Sequence, residues 1–332
     1  MRKTTLEDVA AHAGVSRALV SLVMRESPRV SATSRQLVLE SAEVLGYRPN
    51  LMARNLAARK TMTIGVLLND LHNQWFAEIA DGIHEQADAN GYRIILGNGR
   101  RSLQHEDEAL ESFLAFQVDG IIVTGCRLPD VRIDQVGAEA PTVSVGRSLQ
   151  STIVSTVNSD DNAGAQLAVN HLVQRGHRDI VHIDGGGGAG AAPRREGYLA
   201  AMQAHGLTHH AKVIAADFTE RAGFTAVDHL LATDALPTAF FTANDLLAVG
   251  ALNRLEQQGL SVPDDVSIVG YDNTALAALH HIGLTTVNQP REEMGRMACT
   301  ELLNKIADPT QTIHQVMSPS LIERRTTRTI SV

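Results

Sequence analysis

Residues 4–25, TTLEDVAAHAGVSRALVSLVMR, constrain this chain more than any other stretch. They read as two short helices joined by a tight turn. Thr5 can cap the first helix, with Asp8 three residues on, where a carboxylate reaches back to the cap. Leu6, Val9, Ala10 and Ala13 share one face at helical spacing. Gly14 follows, where the turn needs a residue that tolerates positive φ. Val15 can plug the angle between the helices. Ser16 can cap a second helix with Leu19, Val20, Val23 and Met24 inward. This is the helix-turn-helix pattern, in which the second helix enters the major groove of DNA with its N-terminal residues against base edges. A plain three-helix bundle uses the same pattern, so the motif needs context.

The following residues supply it. Ser31 can cap a third helix with Val38, Leu39, Ala42 and Leu45 inward, ending at Gly46. Residues 1–60 carry ten Lys/Arg against five Asp/Glu, a charge of +5; the whole chain is −8, so the rest carries −13. A basic head on an acidic body suits a DNA-binding domain joined to one that does not bind DNA.

The motifs TLEDVAAHAGVS, VSATSRQLV, LGYRPN and ARNLAARKT resemble those of the LacI/GalR family of bacterial transcription regulators, and the resemblance continues through the whole chain. It implies an all-α helix-turn-helix head and an α/β periplasmic-binding-protein-like core of two doubly wound parallel-sheet subdomains. The expected organisation is a DNA-binding domain over 1–47, a hinge helix or linker over 48–60 and an effector-binding and dimerisation core over 61–332. Within the core, one subdomain takes about 61–159 and 289–318, the other about 160–288 and 319–332.

By that resemblance Arg17, Ala18 and Leu22 are the base readers, with Ser21 and Arg25 on the same outer face. Thr5 and Ser16 complete the expected DNA-facing set on this element. Arg17 is the candidate for a bidentate contact to guanine, worth ~1–3 kcal/mol of discrimination, whereas Leu22 offers only apolar contact to a thymine methyl. Family members often carry Thr and Arg where this chain has Leu19 and Leu22, so no operator sequence is carried over. Residues 50–58, NLMARNLAA, make a helix too short to be stable alone in water. In the family this hinge helix orders when two copies pair in the minor groove and a leucine wedges into the central base step. Leu56 holds that position, with Asn50, Ala53 and Arg54 as its neighbours on the groove wall.

From Thr61 buried strands alternate with helices, which argues a parallel doubly wound sheet. Strands are expected at 63–70, 92–98, 120–125, 141–146 and 152–157, then at 179–185, 211–217, 238–245 and 266–273. A helix over 290–307 should return to the first subdomain. Such folds bind small molecules at the carboxyl ends of their strands. That rule and the resemblance together select Asn73, Trp75, Phe76, Arg147, Arg194, Phe218, Asn244, Asp272 and Gln289 as ligand residues. Asn69, Asp70, Gly146, Asp217 and Asp245 also follow strands; Asp70, Asp161 and Asp245 read equally well as structural. Carboxylates, amides, a guanidinium and an aromatic ring are the chemistry of a polyol site.

Cys126 and Cys299 show neither metal spacing nor a disulfide framework, and no metal or cofactor is expected. The polar N-terminus is unlike a secretory signal, and no apolar run approaches the ~20 residues of a membrane span, so a cytoplasmic protein is expected. Gly185-x-Gly187-x-x-Gly190 formally fits a dinucleotide fingerprint, but Pro193 and Arg194 suggest the helix starts later than the fingerprint requires. A transport-type binding protein shares the core but has no use for residues 1–60. The sequence therefore predicts a transcription regulator, most simply a repressor and not an enzyme. It acts as a homodimer on a pseudopalindromic operator under a sugar or sugar-phosphate effector. A purine is the alternative effector.

Overall fold

The computed structural model describes residues 4–24, 27–47, 60–233 and 236–330. The chain divides after Met62 into a head and a core. In the head, α1 (Leu6–Ala13), α2 (Arg17–Met24) and α3 (Ala32–Val44) enclose Val9, Ala10, Ala13, Val20, Val23, Val38 and Ala42. The capping box forms as expected: Thr5 Oγ1 accepts from Asp8 N at 3.3 Å, and the Asp8 carboxylate accepts from Thr5 N at 2.8 Å. Gly14 adopts φ +64°, and Ser16 Oγ accepts from Leu19 N at 3.2 Å. One expectation fails here. Leu39 is 50% exposed; the inward face of α3 runs through Val38, Ser41 and Ala42, and a step of about 100° per residue turns Leu39 to solvent.

The core's first lobe is built from β1 (Thr63–Leu68), α4 (Gln74–Ala89), β2 (Arg93–Asn98), α5 (Leu103–Ala115), β3 (Gly120–Thr124), α6 (Asp130–Glu139), β4 (Thr142–Val145) and β5 (Ser155–Ser159). The second lobe follows with α7 (Asp161–Gln174), β6 (Ile180–Ile183), α8 (Ala191–Ala204), β7 (Lys212–Ile214), α9 (Glu220–Thr233), β8 (Ala239–Thr242), α10 (Asp245–Gln257), β9 (Ser267–Asp272), α11 (Ala275–Ala278) and β10 (Thr285–Asn288). The chain then returns through α12 (Arg291–Ala307) and β11 (His314–Met317) and finishes on β12 (Ser320–Ile322). The sheets run β11-β5-β4-β3-β1-β2 and β12-β10-β9-β8-β6-β7. All pairings are parallel except β10 with β12, which corrects the all-parallel expectation at one edge. Helix α12 packs on α4 and under β3 to β5, in the first lobe. Helix α6 has no counterpart in the sequence reading. Its moderately polar run DVRIDQVGAE buries just Ile133 and Val136, too little for a clear helical period.

The central strands of both sheets are covered on each face, which is why they are continuous runs of buried residues, whereas the edge strand β2 leaves Ile95 and Leu96 exposed. Ile64, Val66 and Leu68 join α4 and α12, while Leu67 faces α5 and α6. Helix pairs cross where glycines meet backbone. A Cβ on Gly82 would lie 2.0 Å from Glu292 O, and one on Gly295 2.1 Å from Ile79 O. The α9–α10 crossing repeats this at Gly223 and Gly250.

His182 on β6 is fully buried between the Tyr198 and Phe241 rings, and its Nδ1 lies 3.0 Å from Phe241 O. Burial pushes its pKa down to about 4; the carbonyl and Asp184 oppose the drop, while Arg194 and Arg195 add to it. A histidine with a depressed folded pKa contributes stability that is present above its unfolded pKa of about 6.5 and lost as pH falls toward 4. His182→Phe keeps the ring stack without the titration. Denaturant unfolding between pH 7 and pH 5 should show the parent losing up to about 1.4 kcal/mol per pH unit more than the variant. Parallel pH profiles would exclude a buried neutral His182. The comparison with the variant matters because Asp245 and Asp272, raised by burial, titrate with the opposite sign.

Candidate nucleic-acid face and ligand cleft

On the head, Arg17 and Ala18 are exposed at the start of α2, and Ser21 and Leu22 are half-buried one turn on. Arg17 Nε pairs with Glu7 Oε1 at 2.9 Å, with both side chains more than half exposed. Such a pair is worth little and yields readily to a phosphate or a base edge. Thr5 and Ser16 spend their hydroxyls on capping, as described above. Arg25, Asn50, Ala53, Arg54 and Leu56 lie outside the described residues.

In the core, the carboxyl ends of both sheets face an open cleft of the kind that binds small ligands, about 590 Å³ counting the solvent at its mouth. The first lobe contributes Asn73, Trp75 and Phe76, set by the start of α4, where Asn73 Oδ1 accepts from Trp75 N at 3.0 Å. The two rings meet edge to face, 4.9 Å between centroids. Each rests on bare backbone: a Cβ on Gly146 would lie 2.4 Å from Trp75, and one on Gly125 2.7 Å from Phe76.

The second lobe brings Arg194, Phe218, Asn244 and Asp272 to the same wall. Arg194 is buried. Its Nε donates to Asp161 at 2.9 Å and its Nη1 to Ala243 O at 2.5 Å, while Nη1 lies 3.6 Å from Asp272 Oδ1. Its guanidinium stacks 3.9 Å from the Tyr271 ring centroid and 5.6 Å from that of Phe218. Burial pushes the Asp272 carboxyl above the ordinary range, and Arg194 pulls it back. Asp272 also holds φ +108°, a conformation that L residues keep only where surroundings enforce it. Asn244 Oδ1 caps α10 through Leu247 N, leaving its buried Nδ2 without a partner. The glycine run is explained by Phe218: Cβ atoms on Gly185 and Gly188 would fall 2.2 and 2.5 Å from its ring. The ring therefore covers Gly185, the first glycine of the formal dinucleotide fingerprint, while Gly190 packs against Asp161 and Arg194.

Geometry corrects two expectations, Arg147 and Gln289, and decides the open case of Asp245. Arg147 is not on the cleft wall; it turns back to the carbonyls of Cys126 and Leu128 and to Asp130, pinning the loop before α6. Gln289 stands one layer behind, its Nε2 donating to Asp272 Oδ1 at 2.7 Å. Asp245 is structural: its carboxylate accepts from Thr274 and Thr286.

Sequence reasoning missed Arg101 and Arg127, which line the first-lobe wall after β2 and β3. The strand-end rule applied to both. It also missed Glu106, a fully buried carboxylate on α5 that accepts from Asn69 Nδ2 at 2.5 Å, Arg127 N at 2.9 Å, Leu128 N at 3.1 Å and Cys126 Sγ at 3.3 Å. Those bonds tie the ends of β1 and β3 together beneath the cleft. Burial, then Glu106, pushes the Cys126 thiol well above its usual range, so it stays neutral. Among the described residues, no cluster of His, Cys, Asp and Glu fits a metal ion, and no helix is long and apolar enough to cross a membrane.

A helix-turn-helix head on a two-lobed, cleft-bearing core defines a DNA-binding regulator with a ligand-binding domain. Residues 5–50 match the family described as bacterial regulatory proteins, lacI family, and residues 169–327 match the periplasmic binding protein-like domain. Catabolite control protein A of Priestia megaterium is 35% identical over 97% of this chain and 98% of its own length. The HTH-type transcriptional repressor CytR of Escherichia coli (strain K12) is 34% identical over 98% and 97%. The lac repressor dimer bound to operator and the anti-inducer ONPF superposes with a TM-score of 0.89 at 30% identity, covering 98% of this chain and all of that one. The chain belongs to the lacI family of bacterial regulatory proteins. It shares that family's character as transcriptional regulators, not enzymes.

Proposed function

We propose that this protein is a cytoplasmic repressor that binds a pseudopalindromic operator as a homodimer and is controlled by a sugar or sugar phosphate in the cleft. In this reading the head takes 1–47, the hinge 48–60 and the core 61–332. Arg17, Ala18, Ser21 and Leu22 face the major groove, and Leu56 wedges into the minor groove. Closure of the cleft on the effector alters hinge pairing, and linkage makes the effect reciprocal between effector and DNA. The ligand reading is carried by one observation: a buried, unpartnered Asn244 Nδ2 on a wall shared with Arg194 and Asp272. Such a donor asks for an acceptor from outside the chain. A lac repressor bound to operator and a transcriptional regulator CelR–cellobiose complex are among its structural neighbours, which supports both halves of the proposal.

The ligand half is tested by a thermal-shift screen of the full-length protein against sugars, sugar phosphates and purines. A ligand at 100 times its Kd should add about 2.7 kcal/mol, a rise of a few degrees. A purine hit alone would replace the sugar assignment. The DNA half is tested by selecting operators from a random duplex pool and titrating variants. Leu56→Ala should weaken binding about tenfold or more, and Arg17→Ala should relax preference at one base pair per half-site by ~1–3 kcal/mol. Parental affinity in Leu56→Ala would sink the minor-groove wedge.

A further inference from the structure

Arg101 rises from the turn after β2 in the first lobe, and Asp217 follows β7 in the second. Arg101 Nη1 donates to Asp217 Oδ2 at 3.2 Å, across the cleft. Both side chains are partly exposed, 36% and 54%, so the pair sits at the rim. On its own side Arg101 Nε is 3.6 Å from Asp70 Oδ2, and Asp70 is in turn 3.2 Å from His72 Nδ1. The backbone beneath is specially shaped. Arg100 and Arg101 both hold positive φ, +50° and +56°, a conformation that non-glycine residues keep only where the surroundings enforce it. Three bonds enforce it here: Arg100 N to Asn98 Oδ1 at 3.1 Å, Arg101 N to Asn69 O at 2.9 Å, and Arg127 Nη1 to Arg101 O at 3.3 Å. A strained turn that aims one guanidinium over the cleft toward a carboxylate on the other lobe does more than decorate a surface.

We propose that the Arg101–Asp217 pair is a latch between the lobes at the cleft rim, and that ligand entry and release pass through its opening. A pair of this exposure shifts an equilibrium by a factor of up to about five, enough to bias opening without preventing it. The latch takes its meaning from the effector reading, but its test uses no effector, so either can fail without the other.

The chain carries its own reporter. Trp75 is its single tryptophan, is 7% exposed and lines the cleft. Acrylamide, a neutral quencher, reports how often the lobes part in the full-length protein. Asp217→Asn should raise the Stern–Volmer constant of Trp75 roughly twofold or more. Raising NaCl from about 0.05 to about 0.5 M should move the parent toward the variant and leave the variant unmoved, because added salt screens a part-exposed pair. The exchanged pair Arg101→Asp with Asp217→Arg should return quenching to the parental value. Parental quenching in both Asp217→Asn and Arg101→Gln, with no salt response in the parent, would overturn the latch. So would an exchanged pair that quenches like the single variants.

Discussion

Replacing Arg194 with methionine is expected to destabilise the core by about 3–5 kcal/mol and to abolish its ligand response. The magnitude follows from what the guanidinium neutralises. Arg194, Asp161 and Asp272 are all buried or nearly so, at side-chain exposures of 6%, 11% and 4%. Burial opposes the charge on Arg194, yet Asp161 and Asp272 hold it firmly protonated. Methionine keeps the apolar stem against Tyr271 and removes the charge, leaving Asp161 and the Ala243 carbonyl without the guanidinium as donor and Asp272 without its counter-charge. The deficit should depend on pH. Burial already raises the Asp272 carboxyl, and Arg194 is the first influence pulling it down. A carboxyl whose folded pKa is raised contributes stability that is present below its unfolded pKa and lost as pH rises through the folded value. Without Arg194 that pKa climbs further, so the variant's deficit should be larger at pH 8 than at pH 5. Adding Asp272→Asn should recover part of it. Urea unfolding of the single and double variants at both pH values measures all three effects. A single-variant deficit below about 1 kcal/mol would mean that the buried charges are not interdependent.

The head was legible because its signals are local. A cap, a carboxylate three residues on, a glycine at the turn and a serine before the next helix each act within one or two helical turns. The central core strands were legible as apolar runs buried on both faces. The cleft was legible only as far as the strand-end rule reaches. That rule found Asn73, Trp75, Phe76, Phe218, Asn244 and Asp272, because each follows or ends a strand at the cleft, whereas Arg194, inside a helix, was reached through the family resemblance. It also selected Arg147 and Gln289, since position along a strand does not say where a side chain turns. Arg147 found carbonyls and Asp130 nearer than the cleft. Glu106 was out of reach altogether. An acidic residue in the first turn of a helix ordinarily sits in water near the helix dipole, and nothing local announces that donors from Asn69, Cys126, Arg127 and Leu128 converge on it.

The helix glycines were invisible for a different reason, and they support the second large prediction. Within a helix, glycine reads as a liability of about 1 kcal/mol relative to alanine. Gly250→Ala should therefore stabilise the chain if only α10 mattered. It should instead destabilise it by about 3 kcal/mol, because the added methyl would sit 1.8 Å from Glu220 O and 2.8 Å from Phe224 N, both rigid backbone of α9. Relief requires the helices to part. That movement reaches the cleft, because Phe218 stands just before α9 and Asn244 caps the start of α10. The other crossings have the same relation to the site. Asn73, Trp75 and Phe76 begin α4, which meets α12 at Gly82 and Gly295. Arg194 lies on α8, whose Gly197 would place a Cβ 2.3 Å from Asn162 O of α7. Close helix crossing thus sets the spacing of ligand residues drawn from different loops. Gly250→Ala should weaken any ligand found in the thermal-shift screen as well as the fold, although it touches no cleft residue. Equal or greater stability in urea than the parent would show that the helix pair can accept the methyl, and the spacing argument would fall with it.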